Sequence, residues 1–270
     1  VARTARWHFT ADPAVFRAAA GAHLAADPAR NTSVLTLMAT ADRLGWWTEP
    51  DGRVTGVVAI PRPGLPSLGA TTPEAARALT LPDGAEPAEL RGETAAVEAY
   101  LDATGRPWTP LTRLRLFRLG QLTPPDPAPA GRARCATEAD LPLLAGWTAD
   151  FARAIGEEPV ADYTGFLTER VTERRLHLWE DAGGRPVSMA AVSRTVEGQA
   201  RVHLVHTPPA ERRRGYAAGA TTAVSRAALA SGATQVLLFT DLANPTSNAL
   251  YRRLGYRPVT DHLAVRLTGG

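Results

Sequence analysis

Residues 205–217 read VHTPPAERRRGYA. An apolar strand end runs into a proline-bearing loop, then into three arginines, one glycine and the start of an alanine-rich helix. Free backbone N–H groups at a helix start bind anions, and the helix dipole adds to this. Gly215 lets the backbone come close to a phosphate. Arg212, Arg213 and Arg214 can add charge-assisted hydrogen bonds. With one glycine and many cations, the loop differs from the glycine-rich dinucleotide fingerprints.

Further along, residues 241–256 read DLANPTSNALYRRLGY. They follow the apolar run QVLLFT at 235–240, read as a buried strand. They open a short helix over 248–254 that stops at Gly255.

Outward from these stretches, the second half alternates helices and strands. Thr137 is placed as an N-cap with Asp140 at the third helical position, a capping-box variant. That helix continues through Leu143, Leu144, Trp147 and Phe151. A second helix is predicted over 163–173. Strands are predicted over 176–180 and 186–194, joined by the turn DAGGR as a hairpin. A third strand follows over 200–207. The helix over 215–231 ends at Gly232, and a last strand occupies 259–267.

The first half shows a similar, weaker order. A helix is predicted over 14–26, strands over 33–40 and 45–48, a turn at Asp51-Gly52 and a strand over 54–60. Helices follow over 73–79 and 93–101. Residues 111–119 alternate Leu or Phe with Arg or Thr, as a half-buried strand does. Trp46 and Trp47 are read as core. Residues 122–132 (LTPPDPAPAGR) carry four prolines and read as an extended, exposed linker.

Together the two quoted stretches resemble the Gcn5-related N-acetyltransferase (GNAT) family. The first is similar to its acyl-CoA pyrophosphate loop, Gln/Arg-x-x-Gly-x-Gly/Ala, here Arg212, Gly215 and Ala217. The second is similar to its Asn…Tyr-x-x-x-Gly-Phe/Tyr element, here Asn244, Tyr251, Gly255 and Tyr256. The resemblance covers about residues 132–270. It implies an α/β GNAT fold: a central mixed, mostly antiparallel sheet with two splayed strands, flanked by helices. With the order of the first half, it implies two tandem GNAT-like domains. A degenerate one spans 1–121, the linker 122–132 and a catalytic one 133–270.

The same resemblance implies acetyl-CoA as cosubstrate, no metal, and transfer of the acetyl group to the primary amine of a small molecule by direct attack. A non-catalytic acyl-CoA-binding regulator, or a protein or peptide amine as acceptor, is the alternative. Backbone groups of the strand through Val205, His206 and Thr207 would pair with the pantetheine amides. Arg212, Arg213, Arg214, Gly215, Tyr216 and Ala217 would hold the pyrophosphate. Asn244 would bond the pantetheine arm or the adjoining backbone, with Ser247 and Asn248 on the same element. Tyr251 would protonate the leaving thiolate, since a tyrosine pKa of about 10 keeps that proton at neutral pH. A backbone N–H near Val205 or His206 would polarise the thioester carbonyl. The family's loop has a glycine where Arg213 stands, so the cradle requires a suitable φ at Arg213. The first half has neither motif and reads as catalytically silent, walling off the acceptor pocket.

The general base stays open. His203 and His206, three apart on a strand, are expected to face opposite sides, which argues against a two-histidine metal site. Either could accept the amine proton, and either could be an ordinary strand histidine. Glu157 and Glu158 lie between the first two helices of the second half. They could attract a cationic amine or form a solvated loop. Asp241 could act as base or cap its loop through Asn244.

All thirty cationic residues are arginine, and the net charge is only +3 despite a pI near 9.5. Residues 1–130 hold thirteen arginines and thirteen acids, so the whole surplus falls after Ala130. Arg212, Arg213 and Arg214 alone equal it. That favours one pyrophosphate over a nucleic-acid surface. No apolar run approaches the roughly 20 residues of a membrane span. The opening VARTARWHF lacks an apolar signal core. Cys135, the single cysteine, excludes an internal disulfide and fits a cytoplasmic protein.

Overall fold

Residues 4–62, 64–82 and 86–268 are described by the computed structural model. By packing they divide into two units. One comprises residues up to Leu116, with Thr240–Asn244 and the chain from Pro258 on; the other comprises Phe117–Phe239 and Pro245–Arg257.

The first unit runs β1 (Arg6–Thr10), α1 (Pro13–Ala26), α2 (Thr32–Leu37), β2 (Arg43–Thr48), β3 (Val54–Ile60), β4 (Ser67–Leu68), α3 (Pro73–Arg77), β5 (Glu89–Glu93), α4 (Thr94–Thr104) and most of β6 (Trp108–Leu119). Strands β1 to β4 pair antiparallel in sequence order, and β5 joins β4 in parallel. Leu68, Leu90, Val97, Tyr100 and Val265 lie in its buried core.

The second unit runs β7 (Arg132–Cys135), α5 (Leu141–Ala154), α6 (Thr164–Thr172), β8 (Leu176–Glu180), β9 (Pro186–Val192), β10 (Gln199–His206), α7 (Tyr216–Ala230), β11 (Gln235–Asp241), α8 (Pro245–Arg253) and the start of β12 (Tyr256–Leu267). Strands β7 to β10 pair antiparallel, and β11 joins β10 in parallel. Both units therefore follow one order: strand, two helices, three strands, helix, strand, helix, strand. Alternation along β9 separates two cores. Met189 and Ala191 pack with Leu144 of α5 and Leu167 of α6, whereas Ala190 and Val192 pack with Ala220 and Val224 of α7. Among the described residues no helix is long and apolar enough to cross a membrane.

The start of α5 forms as its sequence dictates. The N–H and Oγ1 of Thr137 donate to Asp140 Oδ2 at 2.8 and 2.9 Å. Arg134 donates to both Asp140 oxygens at 2.7 and 2.8 Å and to Glu180 at 2.5 Å. Three distant points of the chain are thereby tied together.

The structure departs from the sequence reading in four places. Residues 33–40 were expected as a strand, but Thr32–Leu37 is helix α2. Its β-branched composition is overruled by tertiary position. Buried Asn31 donates to the His23 and Asp27 carbonyls and accepts from the Ala70 N–H at 2.9 Å, and Val34 and Leu35 are buried behind it. Arg132–Cys135, expected at the linker's end, is strand β7, set against β8 with Arg132 opposite Glu180. Strands β4 and β5 lack an apolar alternation that announces them, and the short β1, where Trp7 and Phe9 alternate with polar residues, was not expected as a strand. Finally, the second domain was expected to run unbroken from 133 to 270. Instead the chain beyond Pro258 belongs to the first unit, where His262–Arg266 pairs with Glu89–Glu93 of β5. Trp47 is core as expected, 8% exposed, while Trp46 is half-buried and stacks on His8 at 5.2 Å.

Two stability measurements check this picture. A Cβ at Gly219 of α7 would stand 2.6 Å from the Trp179 ring of β8. Gly219→Ala is expected to cost about 1–3 kcal/mol by overpacking, read as a lower midpoint in denaturant. The Asp140 carboxyl is held down to about 2, first by Arg134 and then by Thr137. A depressed carboxyl stabilises the fold above its unfolded pKa of about 4 and loses that effect as pH falls through its folded value. Asp140→Asn should therefore cost roughly 2 kcal/mol near neutral pH, and the two proteins should converge in stability at about pH 2.

Candidate functional site

Strand β10 pairs with β11 from Gln199↔Gln235 to Val202↔Leu238, and the pairing stops there. Its register with β9 shifts between His203 and His206. The cause is Leu204, which has φ +52°, a left-handed conformation that a leucine adopts only under strain. The extra residue forms a bulge and releases the following backbone from the ladder. The bulge is braced by Ser188, whose Oγ donates to the His206 carbonyl at 3.0 Å and bonds Thr207 Oγ1 at 2.8 Å.

This bulge corrects one expectation. His203 and His206 were assigned to opposite faces. With an extra residue between them, both face the α5–α6 layer. The His203 ring lies 6.4 Å from Phe166 of α6, and the His206 ring 6.0 Å from Trp147 of α5. Val205 packs the other way, against the α7 core. Burial holds both imidazoles below their usual pKa. His203 is pushed down to about 3, by burial first and then by Arg170, Arg201 and Arg175. His206 is also lowered, by burial first; Arg212 adds to this and Asp150 opposes it. Its Nε2 is buried with no hydrogen-bond partner among the described residues.

The loop after β10 makes a short 3-10 turn at Pro209–Glu211 and then enters α7. Arg213 has φ +65° and Gly215 φ +81°. Arg213 thus takes the left-handed conformation required where the family has glycine. Among the described residues the N-cap of α7, Gly215, makes no side-chain capping bond. Buried Glu211 anchors the loop, accepting from Arg185 at 2.8 Å and Arg214 at 3.2 Å. Arg212 donates Nε to the Thr207 carbonyl at 3.1 Å. Arg213 is exposed, Tyr216 is buried and Ala217 half-buried.

At the second stretch, Asp241 Oδ1 accepts from the Ala243 N–H at 2.8 Å, and the Asn244 N–H donates to the Asp241 carbonyl at 3.1 Å. Asp241 thus caps its own loop. Asn244 is exposed and Ser247 half-buried, while Asn248 and Tyr251 are buried. The Tyr251 ring meets Tyr256 edge-on at 6.0 Å, and the Tyr256 hydroxyl bonds Ser225 Oγ at 2.7 Å. Tyr251 joins the same core cluster as Val202 and Ala218, with Val205 packed against it. Burial raises the Tyr251 hydroxyl to about 12. Asp241 and Asn244 belong to the segment grouped with the first unit, and the other predicted residues lie in the second.

A cavity of about 320 Å³ opens between α5 and α6 and reaches Leu204. Phe151, Tyr163 and Phe166 form apolar walls, and Glu157, Glu158 and Asp162 contribute carboxylates. Glu157 and Glu158 were singled out from the sequence. Asp162 and the aromatic walls were not, although Phe151 lies at helical spacing from buried Thr148 in α5. Among the described residues no group of three or more His, Cys, Asp and Glu side chains could hold a metal ion.

Residues 142–256 match the model of the acetyltransferase (GNAT) family. Among curated proteins none matches the chain. Solved structures share the fold over nearly its full length. A GCN5-related N-acetyltransferase from Sphaerobacter thermophilus has a TM-score of 0.63 at 17% identity, covering 96% of this chain and 95% of that one. A GNAT acetyltransferase from Colwellia psychrerythraea has 0.60 at 10%, covering 97% and 98%. A GCN5-related N-acetyltransferase from Kribbella flavida has 0.56 at 20%, covering 80% and 88%. The parting of β10 from β11, the anion-ready start of α7 and the buried tyrosine of α8 lie within the matched stretch, and residues 142–256 of this chain are a domain of the acetyltransferase (GNAT) family.

Proposed function

We propose that the chain transfers the acetyl group of acetyl-CoA to the primary amine of a small, cationic molecule by direct attack. The observation that carries this reading is the end of β10–β11 pairing at Val202, with Val205 and Tyr251 in one cluster beside it. The residues suit the cosubstrate. The backbone of Val205, His206 and Thr207, which lies beyond the last pair with β11, would take the pantetheine amides, with Asn244, Ser247 and Asn248 nearby in sequence to Tyr251. The left-handed turns at Arg213 and Gly215, with the uncapped amides of Tyr216 and Ala217, would hold the pyrophosphate. Arg212 and Arg214 would add charge. Bound there, acetyl-CoA supplies an electrophilic thioester carbonyl.

The chain's own groups then divide the work. Glu157, Glu158 and Asp162 draw in a cation, and the aromatic walls hold its apolar body. In this reading a neutral imidazole of the bulge accepts the amine proton. His203, with a pKa of about 3, is too weak a base, which leaves His206, whose buried Nε2 has acceptor capacity. A backbone N–H of the bulge polarises the carbonyl. Tyr251, raised to about 12, still carries its proton at any physiological pH and hands it to the departing thiolate. The first unit, which lacks both motifs, is a diverged, silent copy in this reading. The free thiol of Cys135 agrees with a reducing, cytoplasmic setting.

The test is thiol release from acetyl-CoA over a panel of amines. Tyr251→Phe should lose about 100-fold in kcat while binding of CoA is unchanged. Binding of CoA without thiol release from any amine would instead mark an acyl-CoA sensor. Glu157→Gln, Glu158→Gln and Asp162→Asn should each raise KM for the amine about fivefold, the equivalent of ~1 kcal/mol at a wet rim. KM for acetyl-CoA should not move.

A further inference from the structure

Four guanidinium groups gather where α6 meets the first half of β10: Arg170, Arg175, Arg194 and Arg201. Two carboxylates answer them. Glu173 binds Arg175 at 2.7 Å and also Arg194, and Glu169 binds Arg175 at 2.9 Å and Arg194 at 3.1 Å. Those four charges balance. Arg170 and Arg201 make no ion pair with a carboxylate among the described residues. Arg170 lies 3.5 Å above the Phe166 ring and donates Nη1 to the Phe166 carbonyl at 2.8 Å. Its buried Nε–H has no acceptor among the described residues. Arg201 reaches over the Phe239 ring at 5.8 Å. Burial lowers the pKa of both, Arg170 to about 10, and a guanidinium keeps its charge at neutral pH. His203 stands two residues beyond Arg201 and is kept neutral in their field.

Unpaired cations taken partly out of water are costly until an anion completes them. A guanidinium presents a planar fork of N–H donors suited to carboxylate and phosphate oxygens. Phe166 connects this cluster to the cavity, since the ring beneath Arg170 is also a cavity wall. The cavity therefore has carboxylates at one part and uncompensated guanidinium groups behind another. We propose that Arg170 and Arg201 form an oxyanion subsite that holds an acidic group of the acceptor, so that the preferred acceptor is an amine bearing a carboxylate or a phosphate. This rests on reading the α5–α6 cavity as the acceptor pocket.

The experiment melts the full chain, saturated with CoA so that the loop before α7 is occupied. Inorganic phosphate or acetate is titrated against chloride at constant ionic strength. Wild type should gain in Tm with one of the two probes over chloride, and whichever acts names the acidic group. Arg170→Gln and Arg201→Gln should abolish the gain. Without the probe, each variant should melt no lower than wild type, and roughly 2–4 °C higher if the lost charge was strained by about that much. An equal gain in the variants, no gain over chloride in wild type, or a variant that melts well below wild type without the probe would each overturn the subsite. In the kinetic arm, Arg201→Gln should raise KM about tenfold for an amino acid or an aminoalkyl phosphate, and leave KM for the matching neutral amine alone. CoA binding is measured on the same samples. Its loss would sink the acyl-transfer reading while the phosphate and acetate comparison still stands, and its presence without a probe effect would sink only the subsite.

Discussion

Leu204 holds a backbone conformation that its side chain disfavours, and the second unit is arranged around that one residue. The bulge it creates ends the pairing of β10 with β11 and puts two histidines on the same face. It also brings Leu204 to the wall of the α5–α6 cavity. A regular strand would have satisfied its backbone against β11 and left no edge for a ligand. The cost of the left-handed leucine is met by its surroundings. Leu204 is buried in the core of Leu144, Leu167 and Met189, and Ser188 fixes the backbone on its far side. Strain at one residue is thus exchanged for free hydrogen-bonding groups at a chosen place.

A chain whose cations are all arginine has a particular electrostatic character. Guanidinium groups do not shed a proton on burial as an ammonium can, so they must find partners or stay charged. Several find partners that link separate elements. Arg134 joins Asp140 to Glu180, Arg115 binds both oxygens of Asp261, and Arg185 joins Asp181 to Glu211. The unanswered charge at Arg170 and Arg201 stands out because both are half-buried, whereas arginines such as Arg62, Arg118 and Arg226 carry theirs exposed to water.

The parts of the fold that were legible were those with strong local rules. The Thr137–Asp140 box, the hairpin through residues 181–185 and the glycine stop at Gly232 all form where the residues place them. Gly215 likewise takes its left-handed φ at the start of α7, whereas the burial of Tyr251 depends on Val202 and Ala218, distant in sequence. Illegible parts were those decided at a distance. The helix at Thr32–Leu37 depends on what Asn31 bonds forty residues away, and the short strand Ser67–Leu68 is a strand only because β3 and β5 flank it. The shared facing of His203 and His206 could not be read, because nothing in the residues themselves announces a left-handed leucine. The carboxylates of the cavity were half legible: Glu157 and Glu158 stand out as a pair, whereas Asp162 enters only through the path of the loop.

The pairing of His262–Arg266 with Glu89–Glu93 has a consequence for how the chain reaches this state. Most of the first unit precedes the second in the chain, yet its sheet lacks a strand until the residues after Pro258 have been made. Until then β5 presents an open edge, and Leu90 and Tyr100 lack Leu263 and Val265 as core partners. The second unit, whose strands pair at short range in sequence, can form in the meantime. Completion of the first unit's sheet therefore waits on the chain after Pro258.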